Sequence, residues 1–287
     1  MFQAIPWDDG LLIGLLAFAA EFIDSSLGMG YGTTLTPLLM LVFGFEPLQI
    51  VPAVLLSELA TGLVAGFTHH SVGNVDLRPK TLRIDQIIRK LREHGVTASW
   101  QRGIPLHLKI TLIIALCSGG GTVTSVLRAV SLPVFWLSVY LGALVLAVGL
   151  VILATLRHTY PFSWRRVIAL GLIASFNKGI SGGGYGPVVT GGQLLAGVEG
   201  RSAVGITSLA EGLTCLVGVL MYLAQRRPID WTLAPYLVVG GLLSVPLAAV
   251  SVRAVRTSTL RALIGIATVI LGLLTLAKIL GLAWVSA

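Results

Sequence analysis

Five ionisable side chains lie inside long apolar stretches of this 287-residue sequence. A charged residue at the centre of a membrane helix costs at least about 2.5 kcal/mol, so it marks a functional position by default. The five residues are Glu21, Asp24, Glu58, Lys178 and Glu211. We expect them to carry protons or to contact a ligand, with less weight on Glu21, which no second acid matches elsewhere in the sequence.

Asp24 and Lys178 occupy equivalent places, each just ahead of a glycine cluster. Opposite charges at such places can pair with each other inside a membrane. Alternatively, Lys178 contacts an anionic substrate while Asp24 titrates. The sequence leaves both interpretations open.

Glu58 and Glu211 each have a threonine three residues further on, which places Thr61 and Thr214 on the same helical face as the acid. A carboxyl group in such a span is a candidate proton carrier. The alternative is a protonated glutamate that bonds a helix-break amide and carries no protons across. The proton-coupling candidates are therefore Asp24, Glu58 and Glu211.

Two glycine clusters are expected to break the helices that contain them. They read Gly28-Met29-Gly30-Tyr31-Gly32 and Gly182-Gly183-Gly184-Tyr185-Gly186. Each glycine in a helix interior costs about 1 kcal/mol relative to alanine. Irregular backbone at membrane depth survives only where protein shields it or a watery cavity meets it. The helix that follows each break would present free N–H groups, which favour an anion.

The predicted anion site combines these backbone N–H groups with neighbouring hydroxyl and amide groups. Its residues are Gly28, Gly30, Tyr31, Gly32, Thr33, Thr34, Asn177, Lys178, Ser181, Gly182, Gly183, Gly184, Tyr185 and Gly186, with Ser25, Ser26, Thr36, Thr190 and Gln193 beside them. The alternative interpretation is close helix packing, which small residues permit in membranes. Packing explains less well why both clusters carry a tyrosine at the same place.

The composition is that of a polytopic helical membrane protein. Hydrophobic residues make up 55% of the chain and charged residues 11%, and the mean hydropathy is +0.90. Soluble domains are about 25% charged and disordered chains are poor in apolar residues, so both classes are excluded. The net charge of +8 lies in loops between apolar runs, as the positive-inside rule predicts, and does not indicate nucleic-acid binding. The acidic N-terminus has no basic residue, so no cleaved signal peptide is expected.

Ten apolar runs predict the helices, and two of the runs are short. They span 11–28, 33–44, 47–68, 108–127, 132–156, 167–181, 187–197, 202–224, 232–251 and 259–281. A full crossing needs about 20 residues, so 33–44 and 187–197 cannot cross alone. Short, glycine-interrupted segments at matching places in two halves are the sequence sign of a transporter binding site.

The two halves of the sequence match each other in order. At an offset of 154, Phe22 falls on Phe176 and the two glycine clusters align; with one residue of slippage, Glu58 falls on Glu211. We therefore predict two homologous repeats of about five segments each. The distribution of lysine and arginine barely separates an inverted from a parallel arrangement. The acidic N-terminus suits the outside, which favours inverted repeats.

This duplication divides the chain into five parts. They are the first half of repeat 1 (1–77), a basic cytoplasmic insertion (78–107), the second half of repeat 1 (108–156), a cytoplasmic linker (157–166) and repeat 2 (167–287). In the insertion, Ile84, Ile87, Ile88 and Leu91 form one apolar face opposite a basic one, which predicts a helix lying on the membrane surface. A nucleic-acid or regulatory arm is the alternative.

Other chemistries find little support in the sequence. His69 and His70 close an apolar run without further metal ligands nearby, so we expect surface histidines and no metal site. Cys117 and Cys215 form no C-x-x-C pair and are expected to be small apolar fillers. There is no phosphate-binding loop for an ATP motor and no hydrolase motif, so we predict neither an enzyme nor a cofactor.

The first half resembles the sulfite exporter TauE/SafE family. The resemblance rests on Asp24-Ser-Ser-Leu-Gly-Met-Gly-Tyr-Gly-Thr-Thr-Leu-Thr-Pro-Leu-Leu and on Val72-Gly-Asn-Val-Asp76, and Gly182 to Trp231 repeats the same plan. It covers roughly 11–281 except the insertion at 78–107. It implies a multi-pass secondary transporter in a bacterial inner membrane that moves sulfite, sulfoacetate or another organosulfonate. The insertion and Lys178 depart from the family pattern and leave substrate and coupling open.

The function predicted is therefore secondary transport of a small sulfur-containing anion, bound at the glycine breaks between two rocking repeats. Its partners would be the anion, the lipid bilayer, possible protons and a possible second copy of the chain, with no nucleic acid. The negative-inside potential assists anion efflux by about 2.3 kcal/mol per charge per 100 mV, so only uptake needs a coupling ion. The alternatives are a passive anion channel and a membrane enzyme or scaffold acting through 78–107.

Overall fold

The computed structural model of this chain consists of helices and connecting turns wherever it is described. It describes residues 5–79, 103–128, 134–156, 158, 160–181, 185–226 and 229–279. The helices are α1 (Trp7–Leu27), α2 (Tyr31–Val42), α3 (Pro47–Ser71), α4 (Leu106–Arg128), α5 (Val134–Ala154), α6 (Trp164–Ser181), α7 (Tyr185–Leu195), α8 (Gly200–Ala224), α9 (Ala234–Ala254) and α10 (Thr257–Ile279). Each of the ten predicted apolar runs corresponds to one of these helices.

Among the described residues, five helices are long and apolar enough to cross a membrane, which confirms the prediction of a polytopic helical membrane protein. They cover Trp7–Leu27, Gln49–Ser71, Gly200–Ala224, Ala234–Ala254 and Thr257–Leu274. Leu106–Gly121 and Val145–Ala154 are shorter apolar helices. The two short runs form α2, with 12 residues, and α7, with 11. At 1.5 Å per residue, neither reaches across the hydrocarbon, as the sequence predicted.

Glycine ends α1 and separates it from α2. Gly28 has φ 73° in the left-handed region, and its N–H donates to the Asp24 carbonyl at 2.6 Å. Gly30 has φ 128°, a conformation that side chains disfavour. The left-handed residue at the helix end satisfies one terminal carbonyl while the chain turns into α2. The expected break in the first cluster is therefore present.

The short helix α7 is surrounded by the rest of the protein. Ten of its residues, from Tyr185 to Leu194, are buried. Four of them, Tyr185, Val188, Val189 and Leu194, belong to an apolar core that also contains Met29. A second core forms around α2 through Tyr31, with residues of α1, α3 and α9. Protein thus shields the starts of both short helices from hydrocarbon, as broken backbone at this depth requires.

Helices from the two halves of the chain pack against each other. The closest pairs are α1 with α9, α4 with α6, α3 with α8, and α5 with α10. In addition, α3 packs on α9, and α4 packs on α8. The halves are therefore intertwined, and neither forms a separate bundle in the described residues.

Two of these pairs run antiparallel, as their close glycine contacts show. Along α3, Leu55 meets Gly218 whereas Gly66 meets Leu209 on α8. Along α5, Gly142 meets Leu276, and Leu153 meets Gly265 on α10 in the same descending order. By contrast, α1 and α9 are parallel, because Gly10 lies at Tyr236 and Gly14 at Gly240.

The predicted division into domains is not tested by this arrangement and stays a prediction. The amphipathic helix expected in the basic insertion falls within 80–102, outside the described residues. Beside it, the backbone N–H of Asp76 donates to His107 Nδ1 at 3.0 Å. This bond joins the two described ends of the insertion.

We predict that Gly62→Ala destabilises the protein at the crossing of α3 and α8. A side-chain carbon at Gly62 would lie 2.6 Å from the Ser208 carbonyl oxygen and 2.8 Å from Gly212 Cα. Overpacking of this kind costs about 1–3 kcal/mol. The unfolding temperature in detergent should fall, whereas Gly120→Ala, whose new carbon meets no described atom of another helix within 4 Å, should leave it unchanged. Equal unfolding temperatures for the two variants would contradict the crossing.

Candidate functional site

The two glycine clusters come into direct backbone contact. A side-chain carbon added at Gly186, in the first turn of α7, would lie 2.5 Å from the Gly28 carbonyl oxygen and 2.7 Å from Met29 Cα. No side chain fits between these backbones, so glycine is required at Gly186. The start of α7 therefore abuts the link between α1 and α2.

A chain of hydrogen bonds joins the first break to α7 and α8. The Thr190 hydroxyl donates to the Gly28 carbonyl at 2.7 Å, and Gln193 Nε2 donates to Thr207 Oγ1 at 2.8 Å. Thr190 Oγ1 and Thr207 Oγ1 lie 2.9 Å apart. Since Thr190 has one proton and gives it to Gly28, Thr207 donates within that pair. Thr190 and Gln193, which we expected near a ligand, thus stabilise the break.

The two matching tyrosines are buried and bonded to other helices. The Tyr31 hydroxyl lies 2.7 Å from Ser57 Oγ on α3 and also reaches the Leu237 carbonyl on α9. Ser118 on α4 donates to the Tyr185 hydroxyl at 3.2 Å. Each tyrosine therefore holds a short helix to its neighbours in this conformation.

An acidic side chain lies at the N-terminus of α2. The backbone N–H of Tyr31, the first residue of α2, donates to Asp24 Oδ1 at 3.3 Å. Helix N-termini carry partial positive charge and favour an anion at this position. The protein's own carboxyl group occupies the place that we predicted for an external anion. The helix start is thus built to receive a negative group.

Four buried acids surround the crossing of α1, α3, α8 and α9. Glu58 and Glu211 lie near the middle of α3 and α8, and both are within electrostatic range of Glu21 and Asp24 on α1. All four are at most 8% exposed. The structure therefore brings together the three proton-coupling candidates, and it adds Glu21.

Small and hydroxylated residues make room for this acidic cluster. A side-chain carbon at Gly241 on α9 would meet Thr61 Cγ2 at 2.7 Å, Ser57 Oγ at 3.6 Å and Glu21 Cγ at 3.7 Å. The Ser25 hydroxyl donates to Glu21 Oε1 at 2.6 Å. On the other side, the Cys215 thiol donates to Glu58 Oε2 at 3.3 Å. Cys215, which we expected to be a small apolar filler, therefore also makes a polar contact with one of the acids.

The prediction of surface histidines is wrong for His69, which is fully buried. Its Nε2 lies 3.0 Å from the Ser25 carbonyl, and its Nδ1 lies 2.9 Å from Asn74 Nδ2, which also donates to the Ala249 carbonyl. Because the Asn74 amide nitrogen can only donate, His69 Nδ1 accepts and Nε2 carries the proton. A neutral imidazole therefore joins α1, α3 and α9. The helical periodicity of the sequence cannot show that His69 is buried by contacts that involve a segment as distant as Ala249.

Some of the predicted site residues are glycines at the breaks, and others lie outside the described residues or have side chains outside them. Gly30 and Gly32 are buried, and the backbone N–H of Thr34 donates to the Gly30 carbonyl at 2.9 Å. Outside the described residues or side chains fall Thr33, Asn177, Lys178, Ser181, Gly182, Gly183 and Gly184. The pairing of Asp24 with Lys178 therefore stays a prediction.

Sequence reasoning missed the hydroxyl groups that complete these networks. Ser57, Ser118 and Thr207 bond the two tyrosines and the threonine described above. One signal was present, because Thr207 precedes Glu211 by four residues and Ser25 follows Glu21 by four, so each pair shares a helical face. Glu21 and Glu211, which have a hydroxyl group four residues away, both belong to the acidic cluster in the structure.

Comparison with known proteins gives the same assignment as the motifs. Residues 13–84 and 94–275 match the family described as sulfite exporter TauE/SafE. The gap is 85–93, shorter than the predicted insertion of 78–107. The chain is also 29% identical over 266 residues to the Bacillus subtilis (strain 168) "Probable membrane transporter protein YtnM", covering 88% of this chain and 77% of that protein. No solved structure matches. The chain belongs to the sulfite exporter TauE/SafE family, and it is a multi-pass membrane protein of a transporter family rather than an enzyme family.

Proposed function

We propose that this protein is a secondary transporter of small sulfur-containing anions across a bacterial inner membrane. The anion is held where the two glycine breaks meet, and movement of one repeat against the other exposes that place to each side in turn. Sulfite, sulfoacetate and other organosulfonates are the proposed substrate class, of which the family description names sulfite. Asp24, Glu58 and Glu211 are the candidate proton carriers.

The observation that carries the proposal is the carboxyl group at the start of α2. Asp24 accepts the Tyr31 N–H beside the contact between Gly28 and Gly186. A sulfite or sulfonate group offers several acceptor oxygens on a compact anion and can take the same donor once Asp24 is neutral or displaced. Because α7 begins against the same break, its N-terminus adds partial positive charge from the second half of the chain.

An inverted arrangement of the repeats is supported by the helix directions. Pairing α1 to α5 with α6 to α10 in order makes α3 equivalent to α8 and α5 equivalent to α10. Both of these equivalent pairs run antiparallel. The same exchange turns the pair α1–α9 into α6–α4, and both pairs are packed closely. These relations are those of two inverted copies, the arrangement on which alternating access is commonly built.

The conformation seen is a closed one in this proposal. Gly28, Met29, Gly30 and Tyr31 are all buried. An anion can therefore reach the breaks only when helices from the two halves separate. Close glycine contacts at Gly62 and Gly240 give α3, α8, α1 and α9 smooth surfaces along which such movement can occur.

The substrate class is tested by reconstitution into liposomes with radiolabelled sulfite, sulfate, thiosulfate and sulfoacetate, with and without a pH gradient. We expect saturable uptake of sulfite or sulfoacetate and little uptake of sulfate. Fluxes that do not saturate would indicate a channel instead. Absence of flux for every anion, with protein that remains monodisperse in detergent, would contradict the proposal.

We predict that Gly186→Ala impairs transport more than it impairs folding. The added methyl group must push Gly28 and Met29 away from α7, because it has no space between the two backbones. Misplacing a positioned group by about 1 Å can cost about 100-fold in rate. Initial uptake rates of the preferred anion should fall at least tenfold by this reasoning. Gly120→Ala is the control, and equal rates for the two variants would separate the breaks from transport.

We predict that Asp24→Asn weakens the pH dependence of anion affinity. An ionised Asp24 repels an anion at the start of α2, by about 4 kcal/mol for two charges 4 Å apart at an effective dielectric constant of 20. Wild-type affinity for sulfoacetate, whose charge is constant between about pH 6 and about pH 8, should fall as pH rises. The asparagine variant should bind more tightly than the wild type at the high end of this range and show a smaller fall.

The control for Asp24→Asn is Asp9→Asn, which removes an exposed acid from the first turn of the same helix. It should retain the wild-type pH dependence. If Asp24→Asn also retains that dependence, Asp24 does not compete with the transported anion.

A further inference from the structure

The acidic cluster places four carboxyl groups close together, and the proposed anion site does not explain how their charge is neutralised. Glu21, Asp24, Glu58 and Glu211 are all buried near the middle of the helix bundle. Removing one ionised carboxylate from water costs several kcal/mol even after the protein relaxes. Four carboxylates in mutual range add repulsion to that cost. The cluster therefore requires neutralisation by cations or by protons.

Basic side chains do not supply this neutralisation from the helices that carry the cluster. Along α1, α3, α8 and α9 the only lysines or arginines are Arg201 and Arg253. Both lie at helix ends, where Arg201 donates to the Val255 carbonyl and Arg253 to the Val72 carbonyl. Lys178 on α6 would balance at most one of the four acids. His69 is neutral in the tautomer described above, and Tyr31 offers no charge.

Within the cluster, Glu21 has a buried oxygen that is weakly bonded. Glu21 is 2% exposed, and its Oε1 accepts the Ser25 hydroxyl. Its Oε2 is buried without a hydrogen bond of ordinary geometry in the described part of the chain, and the Thr61 hydroxyl is the neighbour closest to pairing with this carboxyl group. A buried acceptor left in this way is costly, whereas a proton placed on it removes the charge. The same residues offer no group of three His, Cys, Asp or Glu side chains placed to hold a metal ion.

We propose that Glu21 is the residue that holds the coupled proton, which makes the protein a proton–anion symporter. The proposal rests on the transport function proposed above and specifies its coupling. A bound anion adds one more negative charge to a buried region whose acids already need neutralising. One proton more than the empty cluster holds must therefore enter with the anion. Glu21 takes that proton from water on one side of the membrane and releases it to water on the other side. In between, Glu21 shares the proton with Asp24, which lies one turn away on α1.

Glu21 has no matching acid in the second half of the chain, where the equivalent position is Ser175. That asymmetry is what a single coupling site requires. Two breaks need two sets of backbone donors, whereas one transported charge needs one titrating residue. The neighbours that face Glu21 are Ser25 and Asp24 on α1, Ser57, Glu58 and Thr61 on α3, Glu211 on α8, and Gly241 on α9.

The test compares two kinds of flux in proteoliposomes with radiolabelled sulfoacetate. For Glu21→Gln we expect acid-outside accumulation to fall about tenfold or more, since the proton carrier is gone. Exchange between sulfoacetate on both sides at equal pH should remain within about twofold of wild type, since the anion contacts are intact. Glu21→Asp should restore part of the accumulation. Glu46→Gln, at an exposed helix end, is the matched control.

Accumulation by Glu21→Gln equal to wild type would overturn the proposal. If the wild-type protein shows neither exchange nor accumulation, the proposed transport function itself is wrong. A second measurement tests the assignment of Glu21 without depending on transport or on the folding of a variant. An apolar carbodiimide adds to protonated carboxyl groups inside hydrocarbon, and mass spectrometry of wild-type protein locates the adduct.

The carbodiimide should modify Glu21 in the wild-type protein at about pH 5 and less at about pH 9, because only the protonated acid reacts. Glu46 should remain unmodified, because it is exposed at the end of a helix rather than buried. Absence of an adduct on Glu21 at every pH, or labelling that does not change with pH, would overturn the assignment.

Discussion

The structure depends on one constraint, which is that a peptide group at membrane depth must have a partner. Breaking α1 from α2 at Gly28 leaves N–H and carbonyl groups that lipid cannot satisfy. The protein answers with Thr190 on the Gly28 carbonyl, Asp24 on the Tyr31 N–H, and the backbone of Gly186 against both. Thr190 and Gly186 come from the second half of the chain, so the break helps to hold the two halves together and creates a polar point inside the bundle.

The acids around that point follow the same physics. Their charge is expensive in a dry interior, and the helices that carry them have basic residues only at their ends. Protons are the cheapest neutralising partner, and protons can leave. A polar point that needs neutralisation in order to admit an anion couples the two species without a separate device. The same four-helix crossing then serves both the stability of the fold and the coupling of its transport.

Much of this could be predicted from the sequence, because apolar runs and glycine clusters are local signals. The ten helices, the two short ones, and the shared role of Asp24, Glu58 and Glu211 as buried acids follow from hydropathy and spacing. Contacts between distant segments do not. The burial of His69 depends on Ser25 and Ala249, and the Thr207 contact depends on the course of α8. The packing of Glu21 beside the other acids could not be predicted either, because the second half of the sequence has no matching acid.

The most direct measurement is anomalous diffraction from crystals grown with selenite or with the selenium analogue of the transported sulfonate. The account predicts a selenium peak where the two breaks meet, within hydrogen-bond distance of the first backbone N–H groups of α2 or α7. It also predicts that Asp24 moves away from the Tyr31 N–H when the anion is bound. A bound selenium atom elsewhere in the bundle, with Asp24 and both breaks unchanged, would contradict the account.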